Sequence, residues 1–270
     1  MFGEWTKNIA DLSESFSTAK PYEHVIIPDF FSDEIIKKIH EEFPDVTNPV
    51  ADWKRYHNPI EFKYTLNNFS SFPEIQGVYE HLQSDEVLGL LRQISGITNL
   101  SADPHLHGAG LHVSPRGGKN DLHLDYELHP MTSMERRLNL IVYLNEEWKP
   151  EWGGALELWD ENLHECVRQV TPEYNTAILF RTSANSYHGF SRPIQCPVDR
   201  SRRSLTNYYV SDPCGDLGHK RPKAEFFRHP EQSEDARLDR LRSIRKTRII
   251  TEEDLAEWPD WRSCGAGWWI

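Results

Sequence analysis

Gly117-Gly118-Lys119-Asn120-Asp121-Leu122-His123-Leu124-Asp125 reads as a glycine turn running into a strand. In an extended strand, side chains two apart share a face, so His123 and Asp125 reach a common point. A second imidazole, His188 of Ser186-Tyr187-His188-Gly189, follows the apolar strand Thr176-Ala177-Ile178-Leu179-Phe180. Two histidines and one carboxylate make a facial triad, filling three positions of an octahedron and leaving three open for a cosubstrate and dioxygen. Further on, Arg202-Arg203-Ser204-Leu205-Thr206-Asn207-Tyr208-Tyr209 alternates, putting Arg202, Ser204, Thr206 and Tyr208 on one face. An arginine opening such a face suits a planar two-point grip on a carboxylate, which lysine does not reproduce.

Thirteen histidines make accidental triplets of this type common. His40-Glu41-Glu42 lies at the end of a helical pattern, where i and i+2 do not face each other. His229-Pro230-Glu231 lacks a strand context. By spacing alone, His123 and Asp125 could equally be a surface histidine beside a solvated aspartate. The distal histidine and the arginine tip the balance.

Around these residues the pattern is one of short strands separated by turns, which is the signature of a sandwich or barrel. Strands are expected over 107–114, 120–126, 137–145, 154–159, 165–170, 174–181, 185–190 and 201–211, with turns at Gly117-Gly118 and Gly153-Gly154. Eight strands so spaced suit a jelly roll, with the triad on the second and seventh and Arg202 opening the eighth. The expected class is therefore mostly β with flanking helices around a double-stranded β-helix, cupin-like core. Residues 1–104 would form an N-terminal support region, 105–212 the core and 213–270 a C-terminal helical extension, together one structural domain.

In the N-terminal region, His24-Val25-Ile26-Ile27 reads as a strand, and Ser32 as the cap of a helix carrying Ile35, Ile39 and Phe43. A helical stretch runs from about Glu74 to Ile94, with a second start at Ser84. Residues 45–72 read as an irregular connection. At the other end, residues 231–248 form a charged amphipathic helix packed on the barrel, and Trp258, Trp261, Trp268 and Trp269 anchor the terminus.

The net charge of −12 argues against a dedicated nucleic-acid binder, and no apolar run is long enough for a membrane helix. Four scattered cysteines, Cys166, Cys196, Cys214 and Cys264, read as free thiols. With no basic-then-apolar leader at Met1, a cytoplasmic location is expected.

The run from Gly110 to Asp212 resembles the prolyl-4-hydroxylase-like branch of the iron(II)/2-oxoglutarate dioxygenases. The matching pieces are Leu111-His112, Gly117-Gly118, His123-x-Asp125, Arg136-Arg137-Leu138-Asn139-Leu140-Ile141-Val142-Tyr143-Leu144-Asn145, Trp148, Gly153-Gly154-x-Leu156-Glu157-Leu158-Trp159-Asp160, His188-Gly189, Pro193, and Arg202-x-Ser204-Leu205 with Tyr208-Tyr209. The resemblance implies that His123, Asp125 and His188 bind Fe(II). It also implies that Arg202 pairs with the far carboxylate of the cosubstrate 2-oxoglutarate, assisted by Thr206 and Tyr143, with Asn139 and His112 nearby. Arg203 points away by parity. Many relatives carry tryptophan at the position of Tyr208, so this pocket differs in shape.

The implied activity is hydroxylation of an aliphatic C–H bond in a prolyl, amino-acid or small-molecule substrate. O2 would be consumed, succinate and CO2 released, and ascorbate is a candidate reductant. Asp125 itself favours hydroxylation, because halogenating members replace this carboxylate with a small residue. Substrate contacts are expected from loops 45–72 and 126–136, with Tyr126, Arg136 and Tyr208 as the candidates and Glu127 and His129 beside them. The alternatives are a jelly-roll binding module with a non-catalytic metal site, and a cupin-type isomerase, which leaves Arg202 without a task.

Overall fold

Antiparallel strand pairing organises the molecule. The computed structural model describes residues 1–215 and 217–261. In chain order it runs α1 (Ile9–Thr18), β1 (His24–Ile27), α2 (Asp33–Glu42), β2 (Lys54–Asn58), β3 (Glu61–Leu66), α3 (Pro73–Leu82), α4 (Asp85–Ser95) and β4 (Ser101–Ala102). The core strands follow: β5 (Gly110–Pro115), β6 (Lys119–Leu124), β7 (Glu135–Tyr143), β8 (Leu156–Trp159), β9 (Cys166–Val170), β10 (Ala177–Arg181), β11 (His188–Phe190) and β12 (Ser201–Ser211). The chain closes with β13 (Glu225–Phe226), α5 (Ala236–Arg245) and α6 (Glu252–Leu255).

The strands join in the order β1-β10-β7-β12-β5-β3-β6-β11-β8-β9, a curled sheet whose two halves face each other as a double-stranded β-helix. Alternation decides which side chains go where. On β7, Leu138, Leu140 and Val142 join Leu205 and Tyr209 of β12 in a core completed by Phe16, Ile39, Ile75 and Leu91 of the helices. The alternate residues Ile141 and Tyr143 pack inside the barrel with Leu156, Leu158, Ile178 and Phe180. Each such fully buried apolar side chain contributes about 1.5–3 kcal/mol.

The helical stretch near 74–94 divides at Ser84, whose hydroxyl accepts the Val87 N–H at 3.4 Å. Gly96 ends α4 in the left-handed conformation that glycine tolerates best.

Residues 45–72 depart from expectation: they contain the hairpin β2–β3. β3 splices the two halves of the sheet, pairing Tyr64, Thr65 and Leu66 with β5 and Glu61 and Phe62 with β6. Its inward face is Glu61, Lys63 and Thr65, polar where a barrel strand is ordinarily apolar, so the apolar-alternation test misses it.

The C-terminal residues also enter the sheet. β13 pairs with β6, setting Phe226 opposite His123. Above it, Ile60, Phe226, Leu238, Leu241, Ile250, Leu255, Trp258 and Trp261 form a second cluster, so two of the four terminal tryptophans serve as anchors. Trp268, Trp269 and Cys264 lie outside the described residues, while Cys166, Cys196 and Cys214 are free thiols. No helix among the described residues is long and apolar enough to cross a membrane.

Candidate metal centre and its pocket

Antiparallel pairing of β6 with β11 sets His123 opposite His188, 65 positions further along the chain, with ring centroids 4.3 Å apart. Asp125 follows directly at the end of β6. Its carboxylate oxygens lie 3.7 Å from His123 Nε2 and 3.8 Å from His188 Nε2. One donor atom from each of the three side chains falls within 4.8 Å of the others, and all three residues are buried.

Backbone carbonyls set which nitrogen is presented. His123 Nδ1 donates to the Asp121 carbonyl at 2.9 Å, and His188 Nδ1 donates to the Ser186 carbonyl at 2.8 Å. Both Nε2 lone pairs are left to face Asp125. This outer support fixes the tautomer and ring orientation of a metal-binding histidine. Burial, reinforced by the neighbouring His188, pushes His123 down to about 3, and burial lowers His188 as well, so both rings are neutral donors at neutral pH. Burial raises the Asp125 pKa, but Arg136, with His188 and His123, outweighs it and holds the carboxyl well below the usual range.

Arg136 does not reach outward from the 126–136 loop as expected of a substrate-contacting residue. Its Nη1 lies 2.9 Å from Asp125 Oδ2, and its guanidinium is sandwiched between the rings of Tyr126, at 3.6 Å, and Tyr208, at 3.4 Å. The three residues line the cavity together, the two rings nearly perpendicular to each other, with Arg136 committed to Asp125. Asn139 Nδ2 donates to the same Asp125 oxygen at 3.2 Å, which places Asn139 beside the metal-facing carboxylate. Glu127 and His129 are absent from the cavity wall. Glu127 pairs with Arg221, and His129 Nε2 lies 3.3 Å from Asp103. Loop parity in a turn-rich stretch carries no information on such destinations, because each side chain goes to whatever element packs opposite.

Arg202 points into the barrel from β12. Nε donates to the Gly154 carbonyl at 2.8 Å and Nη2 to the Tyr143 hydroxyl at 3.4 Å, with Phe190 4.3 Å from the guanidinium carbon. No carboxylate pairs with this buried cation among the described residues, and an unpaired buried charge is costly. Gly154 sits at φ +73°, and a Cβ there would come within 3.2 Å of Arg202 Cδ. Thr206 and Ser204 line the same wall, while Arg203 turns away onto Phe43. His112, paired with Ser204 across β5–β12, also lines the cavity; its Nε2 is buried without a hydrogen-bond partner, and burial pushes its pKa down to about 3.

The cavity holds about 370 Å³. Beyond the sequence-derived residues, the hairpin supplies Lys54, Tyr56, Glu61 and Lys63, and the C-terminal segment supplies Lys223, Phe226 and Arg245. The Phe226 ring stacks on His123 at 5.2 Å and 20°. No local spacing signals these residues, since two of the walls come from outside the core strands.

The donor set fits a divalent iron ion. Two neutral imidazoles and one carboxylate converge from one side, and a buried arginine stands ready for an acidic cosubstrate.

Comparison with known proteins agrees with this geometry. Residues 109–210 match the model of the 2OG-Fe(II) oxygenase superfamily. Over 196 residues the chain is 24% identical to mouse prolyl 3-hydroxylase OGFOD1, covering 70% of this chain but 33% of that protein, so it spans about a third of that relative's length. A Pseudomonas putida prolyl-4-hydroxylase superposes with a TM-score of 0.54 at 16% identity, covering 76% of this chain and all of that one. A Trichoplax adhaerens prolyl hydroxylase, solved with a hypoxia-inducible-factor oxygen-degradation-domain peptide, superposes at 0.58 with 16% identity, covering 77% of this chain and 94% of that one. Residues 109–210, which hold the triad and Arg202, are thus similar to the 2OG-Fe(II) oxygenase superfamily, on a fold shared with prolyl-4-hydroxylases.

Proposed function

We propose that this chain is an Fe(II)- and 2-oxoglutarate-dependent dioxygenase that hydroxylates an aliphatic C–H bond of a prolyl, amino-acid or other small-molecule substrate, releasing succinate and CO2. The observation that carries this reading is the buried Arg202 guanidinium, without an acid partner, in the cavity where His123, Asp125 and His188 converge. In this reading the two histidines and Asp125 hold the iron and leave its other side open. Arg202 grips the far carboxylate of 2-oxoglutarate, the Tyr143 hydroxyl steadies the guanidinium, and Thr206 offers a further hydroxyl on the same wall. His112 and Asn139 bring buried polar atoms that lack partners, His112 Nε2 and Asn139 Oδ1, to the bound acid or to water beside it. Dioxygen is the oxidant, one oxygen atom going to the substrate and the other to the succinate formed as 2-oxoglutarate loses CO2; bound iron would supply the activation of dioxygen, and the partly enclosed cavity would limit access of solvent to it. Residues 1–104 and the described residues after 212 act with the core as one unit, since both contribute strands to its sheet and side chains to its cavity.

The test is anaerobic loading with Fe(II) and 2-oxoglutarate, followed by succinate measurement in air. A cosubstrate-dependent visible absorption change and succinate release are expected. Both iron binding and succinate release are lost in His123→Ala and Asp125→Ala. Unchanged activity in both variants overturns the reading, and iron binding with no response to 2-oxoglutarate reduces the centre to a non-catalytic metal site.

A further inference from the structure

Charge on the cavity wall is the feature that the chemistry above leaves unused. Six cations and two carboxylates line the cavity in a chain of net charge −12. Arg136 is matched by Asp125, and Arg202 is assigned to 2-oxoglutarate. Glu61, fully buried, is shared by two cations: Arg245 Nε at 2.8 Å and Lys63 Nζ at 3.5 Å. One carboxylate therefore serves two positive charges, and Lys63 completes its contacts with the neutral Asn120 Oδ1 at 3.1 Å. Lys54 and Lys223 have no carboxylate partner among the described residues. The iron's two positive charges and the cosubstrate's two negative charges cancel, so the surplus on the wall remains positive. All of these surplus cations come from the β2–β3 hairpin and the segment after residue 220, outside the region matched by the family model.

We infer that the substrate carries a carboxylate held by Lys54, Lys63 and Lys223 away from the bond that is oxidised. This rests on the oxygenase reading and adds the chemical class of its substrate. A partly enclosed site of one sign concentrates ligands of the other and rejects like charge.

The test uses the full chain loaded anaerobically with Fe(II) and 2-oxoglutarate, with binding read by calorimetry. The probes are N-acetylproline against N-acetylprolinamide, and a blocked Glu-Glu-Pro-Glu-Glu pentapeptide against its Gln and Lys counterparts. At least one acid is expected to bind about tenfold or more tighter than its neutral match, with the lysine peptide weakest and the preference shrinking at high salt. A preference in the first pair alone identifies a free acid, and one in the pentapeptides an acidic peptide. Lys54→Gln and Lys223→Gln each cut the preference about threefold or more, whereas Lys37→Gln, an exposed lysine on α2, leaves it unchanged. Equal binding of acids and amides, tighter binding of the lysine peptide, or no binding of any acid overturns the inference. The 2-oxoglutarate-dependent absorption change is recorded first. Its absence sinks the oxygenase reading, and its presence without an acid preference sinks only the charge assignment.

Discussion

Asp125 is the most heavily engaged side chain at the centre. It faces two imidazoles while one of its oxygens takes both Arg136 and Asn139. Removing one partner of a buried ion pair leaves the other charge uncompensated, at a cost of about 3–5 kcal/mol. Arg136→Met is therefore expected to lower stability by about that amount in urea unfolding and to weaken Fe(II) affinity about 10–100-fold by equilibrium dialysis. Arg136→Lys does not rescue it, because a compact ammonium cannot reach Asp125 while keeping the guanidinium's contacts with both Tyr126 and Tyr208. Unaltered iron affinity in both variants would show that Asp125 needs no such support. On the opposite wall, Arg202→Lys keeps the charge but loses the fork. Its apparent KM for 2-oxoglutarate is expected to rise about tenfold or more with iron affinity unchanged; an unmoved KM would place the acid elsewhere. Gly154→Ala acts on the same contact from the other side, because its new methyl meets Arg202 Cδ and Ile194 in a left-handed backbone.

At the level of elements, α5 is wired to the metal centre through β6. Arg242 Nη2 reaches the fully buried Asp121 at 3.2 Å, Lys119 Nζ reaches it at 2.7 Å, and the Asp121 carbonyl accepts from His123 Nδ1. Arg242→Leu leaves Asp121 with one cation, and a loss of about 3 kcal/mol is expected from urea midpoints, together with weaker iron retention. Ser84→Ala makes the contrast: it removes only the cap of α4, a residue outside the cavity wall. It is expected to cost about 0.5–1 kcal/mol and leave 2-oxoglutarate turnover intact. If Ser84→Ala impaired turnover as much as Arg242→Leu, the link through Asp121 would carry no special weight.

For the whole molecule, buried titratable groups tie stability to pH. His112 and His123 are pushed down to about 3 in the folded chain, burial being the main cause, against 6.5 when unfolded. Between those values the unfolded chain binds protons that the native chain refuses, so stability falls as the pH drops below about 6.5. The depressed Asp125 works in the same direction: its contribution is present above its ordinary value of 3.8 and is lost as the pH falls toward its lower folded value. The urea midpoint of the metal-free protein is expected to be flat above about pH 7.5 and to decline steadily from 6.5 to 4. A midpoint constant through that range would mean that these imidazoles are solvated.

The sequence by itself determined the strands of the core, the helices at 33–42 and 73–95, and the candidate ligands His123, Asp125, His188 and Arg202. The strands and the shared face of His123 and Asp125 follow from the twofold period of an extended chain and the helices from their 3.6-residue period, neither of which needs knowledge of what packs against it, while His188 and Arg202 are joined to them by the family resemblance. Only the tertiary structure decided that His188 lies opposite His123, that Arg136 turns in to Asp125, and that β2–β3 and β13 close the cavity with lysines and Phe226. A side chain's destination across a sheet depends on register and on the neighbouring strand, and neither is written in the local pattern of a polar hairpin or a short C-terminal strand.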